Sequence, residues 1–189
     1  MAILTKSKLA VLLASTLLAA ASPALAALQD ENLLMLLPTG FKAGYHASKG
    51  PIDMVEYVPN GETVNAWSEM VTVQIFHELH NADPDKFAGA LADRWKSACK
   101  GGDATQSKTG TENGYPFALW VFTCPLDPMT SKPETMFLKA IGGADSLYSV
   151  QYAYGRDADT SMPGPTMKYL FGVRVCDTRR TDRPCPKGM

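Results

Sequence analysis

Beyond its first 26 residues this 189-residue chain lacks any apolar run long enough to cross a bilayer as a helix. It also lacks a G-x-S-x-G serine elbow, a glycine-rich loop leading into a helix, and a C-x-x-C pair. These absences remove the sequence-legible serine hydrolases, the phosphate-cradling enzymes and the common cysteine zinc sites. Positive charge is short as well. Lys plus Arg number 18 against 19 Asp plus Glu, for a net charge of −1. Phosphate backbones require a clustered basic surface, so nucleic acid is not an expected partner. There is no repeat, no low-complexity tract and no linker long enough to divide domains.

What is present begins with a leader. Lys6 and Lys8 precede an apolar stretch over residues 9–21, and Ala24-Leu25-Ala26 follows Pro23. That tripartite order predicts a Sec-type signal peptide over residues 1–26, with cleavage exposing Ala27. No cysteine follows the cut, so a lipoprotein signal is not expected. The expected destination is the bacterial periplasm or the medium, with no stable membrane insertion after cleavage. Loss of Lys6 and Lys8 makes the remainder more acidic. Residues 27–176 are expected to form one globular α+β domain, and residues 177–189 a short disulfide-tied tail.

All four cysteines, Cys99, Cys124, Cys176 and Cys185, lie beyond the leader. An even count in an oxidising compartment reads as two disulfides. Of three connectivities, nearest-neighbour pairing is favoured: Cys99 with Cys124 and Cys176 with Cys185. Near the second pair, Arg179, Arg180 and Arg183 alternate with Asp177 and Asp182. That mixture reads as a solvated tail rather than an anion or membrane site.

Residues 62–79 form the landmark stretch. Val71, Val73, Ile75, His77 and Leu79 alternate with Thr72, Gln74, Phe76 and Glu78, the period of a strand. Trp67 and Met70 suggest a helical turn feeding it. Residues 27–37 end in an apolar run that fits either helix or strand. Residues 41–47 and 52–58 read as a hairpin. The clearest helix spans residues 81–99, with Asp83 as N-cap, Pro84 at the first position and Gly101-Gly102 as the stop. Its expected apolar stripe is Phe87, Leu91, Trp95 and Ala98, with Trp95 meeting Trp120 in the core. Residues 104–111 suit an edge strand. Asn113-Gly114 is a hairpin turn. Residues 115–124 are apolar on both faces, as for a strand covered on both sides. Residues 134–141 and 147–154 make another hairpin. Pro163 and Pro165 fit only a first helical turn, and Met167, Leu170, Phe171 and Arg174 suggest a closing helix over residues 167–175.

Candidate chemistry is sparse. His77-Glu78-Leu79-His80 is one residue short of the zinc-protease H-E-x-x-H motif. On a strand its histidines would point to opposite faces. Asp157 and Asp159 lack the spacing of a calcium loop. Met54, Met70, Met136 and Met167 fall in core segments and form no copper-binding cluster. Cys99 at a helix C-terminus is a poor nucleophile and suits a structural bridge. The sequence therefore assigns no catalytic residue, no metal ligand and no cofactor. Tyr148, Tyr152 and Tyr154 share a strand face. They suit core packing, or alternatively a half-wet ligand groove.

The order of strand pair, W-S-E-M-V-T-V-Q strand, proline-capped helix, N-G-Y-P strand, hairpin and closing helix resembles the PsbP-like α/β/α sandwich. It is also similar to exported bacterial proteins with a V-P-x-G-E-T…W-x-E-M pattern, here Val58 to Thr63 and Trp67 to Met70. The likeness spans about residues 41–176. It implies a largely antiparallel twisted sheet with packed helices, and a non-enzymatic binding or assembly role. It carries over no catalytic residue, and the paired cysteines depart from the plant members. The expected function is a non-enzymatic periplasmic or secreted module for an envelope protein or small ligand. The alternatives are a small exported hydrolase assembled in three dimensions around His77, and a structural envelope component.

Overall fold

The computed structural model describes residues 28–186. The expected leader and its cleavage site lie outside them. The chain builds β1 (Glu31–Leu34), β2 (Phe41–Lys49), β3 (Ile52–Pro59), β4 (Glu69–Phe76), α1 (Pro84–Ala98), β5 (Asp103–Glu112) and β6 (Tyr115–Cys124). It continues with β7 (Glu134–Gly142), β8 (Leu147–Tyr154), α2 (Pro163–Gly172) and β9 (Arg174–Asp177). Seven strands form one antiparallel sheet in the order β2-β3-β4-β8-β7-β6-β5, and β1 pairs with β9 in a separate two-stranded ribbon. The fold is α+β, a sheet between two covering layers.

Strand alternation sorts the core into those layers. Val71, Val73, Phe117, Leu119, Phe137, Ile141, Val150 and Tyr152 face α2 and the β1–β9 ribbon, together with Leu170 and Val175. Phe122, Met136, Leu138 and Ala153 face α1. This explains why β6 reads as apolar throughout: each face meets a different layer.

α1 begins as its sequence dictates. The Asp83 carboxylate accepts from the backbone N–H groups of Asp85 and Lys86, and Pro84 needs no partner for its nitrogen. Its deepest residues, however, are Ala88 and Ala92. Their small side chains let the helix approach the sheet, while Leu91 and Trp95 pack at the flanks. Trp95 and Trp120 pack on the same core cluster. Each packs on Phe122, with ring centroids 5.5 and 6.2 Å away. Trp95 Nε1 donates to the Thr123 carbonyl at 2.9 Å, and Trp120 Nε1 to Asp85 at 2.8 Å.

Three sequence expectations are corrected. Trp67 and Met70 form no helical turn, since Met70 already lies in β4. Glu62 accepts from Ser68 N and Oγ, and Thr63 bridges Ala66, making a small closed loop before β4. The strand stops at Phe76: His77 N–H still donates across to the Pro51 carbonyl at 2.9 Å, but the Leu79 N–H donates back to the Phe76 carbonyl at 3.2 Å and closes a turn. The closing helix is α2, starting at Pro163 and ending at Gly172, since Val173 takes extended backbone angles and residues 174–177 pair with β1. The Asn113-Gly114 turn stands as read, with both residues at positive φ.

The disulfides join Cys99 to Cys124 and Cys176 to Cys185. The first ties the end of α1 to the end of β6. The second ties the tail to β9. That tail is held by more than its bridge: Arg183 lies over the Tyr115 ring at 4.4 Å, and the Asn113 amide donates to the Val175 carbonyl at 2.9 Å. Arg179 pairs with Asp177 and Asp145, and Arg180 with Asp182, so carboxylates engage these arginines.

Candidate functional site

Among the described residues, two places stand out for groups capable of chemistry or recognition. The first is the corner where the β7–β8 turn meets β1. The Glu31 carboxylate accepts from the N–H groups of Ala144, Asp145 and Ser146 at 2.7, 3.1 and 3.3 Å, and from the Tyr148 hydroxyl at 3.1 Å. Gly143 makes this possible, because a Cβ there would stand 2.2 Å from Glu31 Oε1. Beside it, His77 Nε2 lies 2.8 Å from Asp53 Oδ2, and His77 Nδ1 lies 3.5 Å from the Ser146 hydroxyl. Hydrogen bonds from Ser48 and then from His77 hold the Asp53 carboxyl below its usual range.

Serine, histidine and aspartate thus stand in a row, but the row is a poor nucleophile system. The Ser146–His77 approach is at the limit of a hydrogen bond. Ser146 is buried, and the backbone donors that would otherwise stabilise an oxyanion already hold Glu31. The His77 side chain is 49 % exposed. His80 is exposed in the same turn, so the opposite-face argument for a strand gives way to a turn.

The second place is the outer face of α2. Of the two readings of the tyrosine face, core packing is the one seen: Tyr148, Tyr152 and Tyr154 are all buried. Tyr152 stacks on Tyr154 at 5.1 Å and meets Tyr169 edge-on at 5.4 Å. Burial, and then the Glu69 carboxylate that accepts from its hydroxyl, push the Tyr152 phenol upward. Tyr148 borders a shallow hollow, beside His77 and Glu31. Tyr152 and Tyr154 form the floor under α2, Tyr148 bonds Glu31 of β1, and an exposed apolar surface lies on top of the helix.

That surface consists of two adjoining hollows. One, of about 370 Å³, is lined by Leu36, Pro165, Lys168, Tyr169 and Gly172. The other, of about 400 Å³, runs from Leu33 through Leu36 to Gly172, Arg174 and Pro186. Leu36 and Gly172 belong to both. Leu36 is 84 % exposed, and Leu37 and Phe171 are also exposed. Helix geometry explains the arrangement. Thr166 and Leu170 turn inward, which leaves Lys168 and Gly172 outermost. The apolar run at residues 33–37 is half core and half surface: Leu33 and Met35 pack on the core, whereas Leu36 projects.

Sequence reading missed these residues. The apolar run of residues 33–37 was visible, but its position beside Lys168 and Arg174 depends on the β1–β9 pairing. A smaller hollow of about 280 Å³ lies between Trp67 and the loop carrying Met129, Thr130 and Lys132. Asp159, one of the two carboxylates weighed for calcium, is bonded to Ser161 and Arg156. Met70 and Met136 are buried, and Met54 accepts from the Gln74 amide. Among the described residues no cluster of three or more His, Cys, Asp or Glu has the geometry of a metal site.

No family model matches the chain, and no curated protein matches it. Among solved structures, one similar to it is that of LpqN, described as involved in cell envelope biogenesis of Mycobacterium tuberculosis. The two share 11 % identity at a TM-score of 0.43, over 78 % of this chain and 84 % of that one.

Proposed function

We propose that this protein is a non-enzymatic binding module of the bacterial envelope, periplasmic or secreted, working through the outer face of α2. The observation that carries this reading is Leu36, a leucine 84 % exposed at the junction of two apolar hollows. An apolar patch rimmed by polar residues marks a binding surface more often than a defect of packing. The PsbP-like resemblance points the same way, since such proteins act mostly as binding or assembly factors.

The test is binding of an apolar fluorophore such as N-phenylnaphthylamine to the exported chain. Fluorescence should rise on binding and fall at least fivefold in Leu36→Glu, with the unfolding midpoint unchanged. Binding that ignores Leu36→Glu would remove the α2 face from the proposal.

The second reading is a small exported hydrolase at the Ser146–His77–Asp53 row. It requires esterase turnover that disappears in both Ser146→Ala and His77→Gln. Turnover that survives either change would end it.

A further inference from the structure

We propose that the partner of the α2 face is an anionic phospholipid surface. This rests on the reading of that face as the binding site and names what it binds. Neither hollow has an acidic residue in its lining, and each has one cation, Lys168 or Arg174. On the flank of α2, Lys108 lies over the exposed Phe171 ring at 5.2 Å. Arg174 shares Glu112 with the buried Lys139, at 3.5 and 2.6 Å. Among the described residues, Lys108 and Lys168 form no ion pair. Lys108, Lys168 and Arg174 therefore stand around the exposed apolar side chains of this face, with Glu112 as the carboxylate paired to Arg174.

The apolar side chains around these cations are shaped to insert rather than to enclose. Leu36, at 84 % exposure, stands out from the hollows it borders, and Leu37 and Phe171 are exposed beside it. A buried small ligand would need side chains that close over it. A bilayer interface instead takes projecting apolar groups at the acyl boundary and cations at the headgroup phosphates. Such binding is modest and reversible, and it requires both components. Lys168 and Arg174 can keep their aliphatic stems on the apolar surface while their charged ends reach phosphate.

The experiment is flotation of the exported chain with vesicles of phosphatidylglycerol and phosphatidylethanolamine, against vesicles of phosphatidylcholine. The expected result is association with the anionic vesicles only, weakened by salt. Lys168→Gln and Arg174→Gln should each weaken it about fivefold, and Leu36→Ser should weaken it at least as much. Lys96→Gln, on the opposite layer, should leave it unchanged. Equal binding to both vesicle types would overturn the anionic requirement. No binding to any vesicle, with N-phenylnaphthylamine still taken up in a Leu36-dependent way, would overturn the lipid surface and leave the α2 face as a binding site. Loss of both would overturn the two proposals together.

Discussion

The Lys139 ammonium donates to the Val173 carbonyl at 2.7 Å from a side chain with no exposure at all. Lys139 stands in the middle of β7, and Val173 is where α2 ends and β9 begins. The same ammonium donates to Glu112 at 2.6 Å and lies over the Phe117 ring at 5.0 Å. Burial lowers its pKa, and Glu112 opposes that shift. The contact fixes where the helix must stop. Replacing Lys139 with Met leaves the Val173 carbonyl unpaired and Glu112 with only Arg174. Stability should drop by about 3 kcal/mol in denaturant unfolding. Adding Glu112→Gln should recover part of the loss. A strictly additive double variant would show that the buried pair is not what holds the junction.

Glu31 and Gly143 should behave as one unit. Glu31→Ala strands three backbone N–H groups in the β7–β8 turn and should cost about 2 kcal/mol. Gly143→Ala places a methyl group where the carboxylate sits and should cost about as much. A Cβ at Gly143 would also stand 2.6 Å from the Ser146 carbonyl oxygen and 2.8 Å from the Tyr148 ring, so the double variant should lose more than either single but less than their sum. Thermal unfolding of the four proteins checks this, and full additivity would contradict it.

Glu134 gives a pH dependence. It opens β7 opposite Cys124, and burial, with a smaller contribution from Asp127, raises its carboxyl to about 7. A raised carboxyl means the folded chain holds the proton more tightly than the unfolded chain. The stabilisation is complete below the ordinary carboxyl range and is lost as pH rises through about 7. Glu134→Gln should remove that part of the profile, leaving it more stable than the parent at alkaline pH by on the order of 2 kcal/mol. Parallel urea titrations from pH 4 to about 8.5 read the difference. Profiles that stay parallel would refute the assignment.

The two disulfides should differ in weight. Cys99–Cys124 spans 25 residues and Cys176–Cys185 spans 9. Loop entropy gives the first about 3 kcal/mol and the second somewhat less. The shorter bridge is also backed by the Arg183–Tyr115 contact and the Asn113 hydrogen bond. Cys99→Ser should therefore lower the melting temperature several degrees more than Cys185→Ser, and a reducing agent should erase the gap. Peptide mapping that found Cys99 joined to Cys176 would refute the pairing outright.

His77 and His80 should be dispensable for any metal content. His77 is engaged by Asp53 and His80 is exposed in the turn. Changing both to Gln should leave the metal analysis of the purified chain unaltered, and zinc lost on that change would contradict it.

The local sequence by itself determined those parts of the protein whose causes are local. Asp83 and Pro84 start α1 because a carboxylate and a ring nitrogen satisfy or remove the first orphan donors. Asn113-Gly114 turns the chain because both positions tolerate positive φ. Tyr148, Val150, Tyr152 and Tyr154 share a face because strand side chains alternate, and that face of β8 packs into the core on the side of α2 and the β1–β9 ribbon. The sheet and the α+β class follow from such signals, and so does the nearest-neighbour cysteine pairing that the structure has. Tertiary structure alone decided the rest. Residues 31–34 are a strand rather than a helix because residues 174–177, at the far end of the described chain, supply their hydrogen bonds. The same pairing shortens α2, and it brings Leu36 beside Lys168 and Gly172. It also turns the tyrosine face into a covered floor. A surface assembled from both ends of a chain leaves no periodic trace in either end, since each half is specified only by the surface of the other.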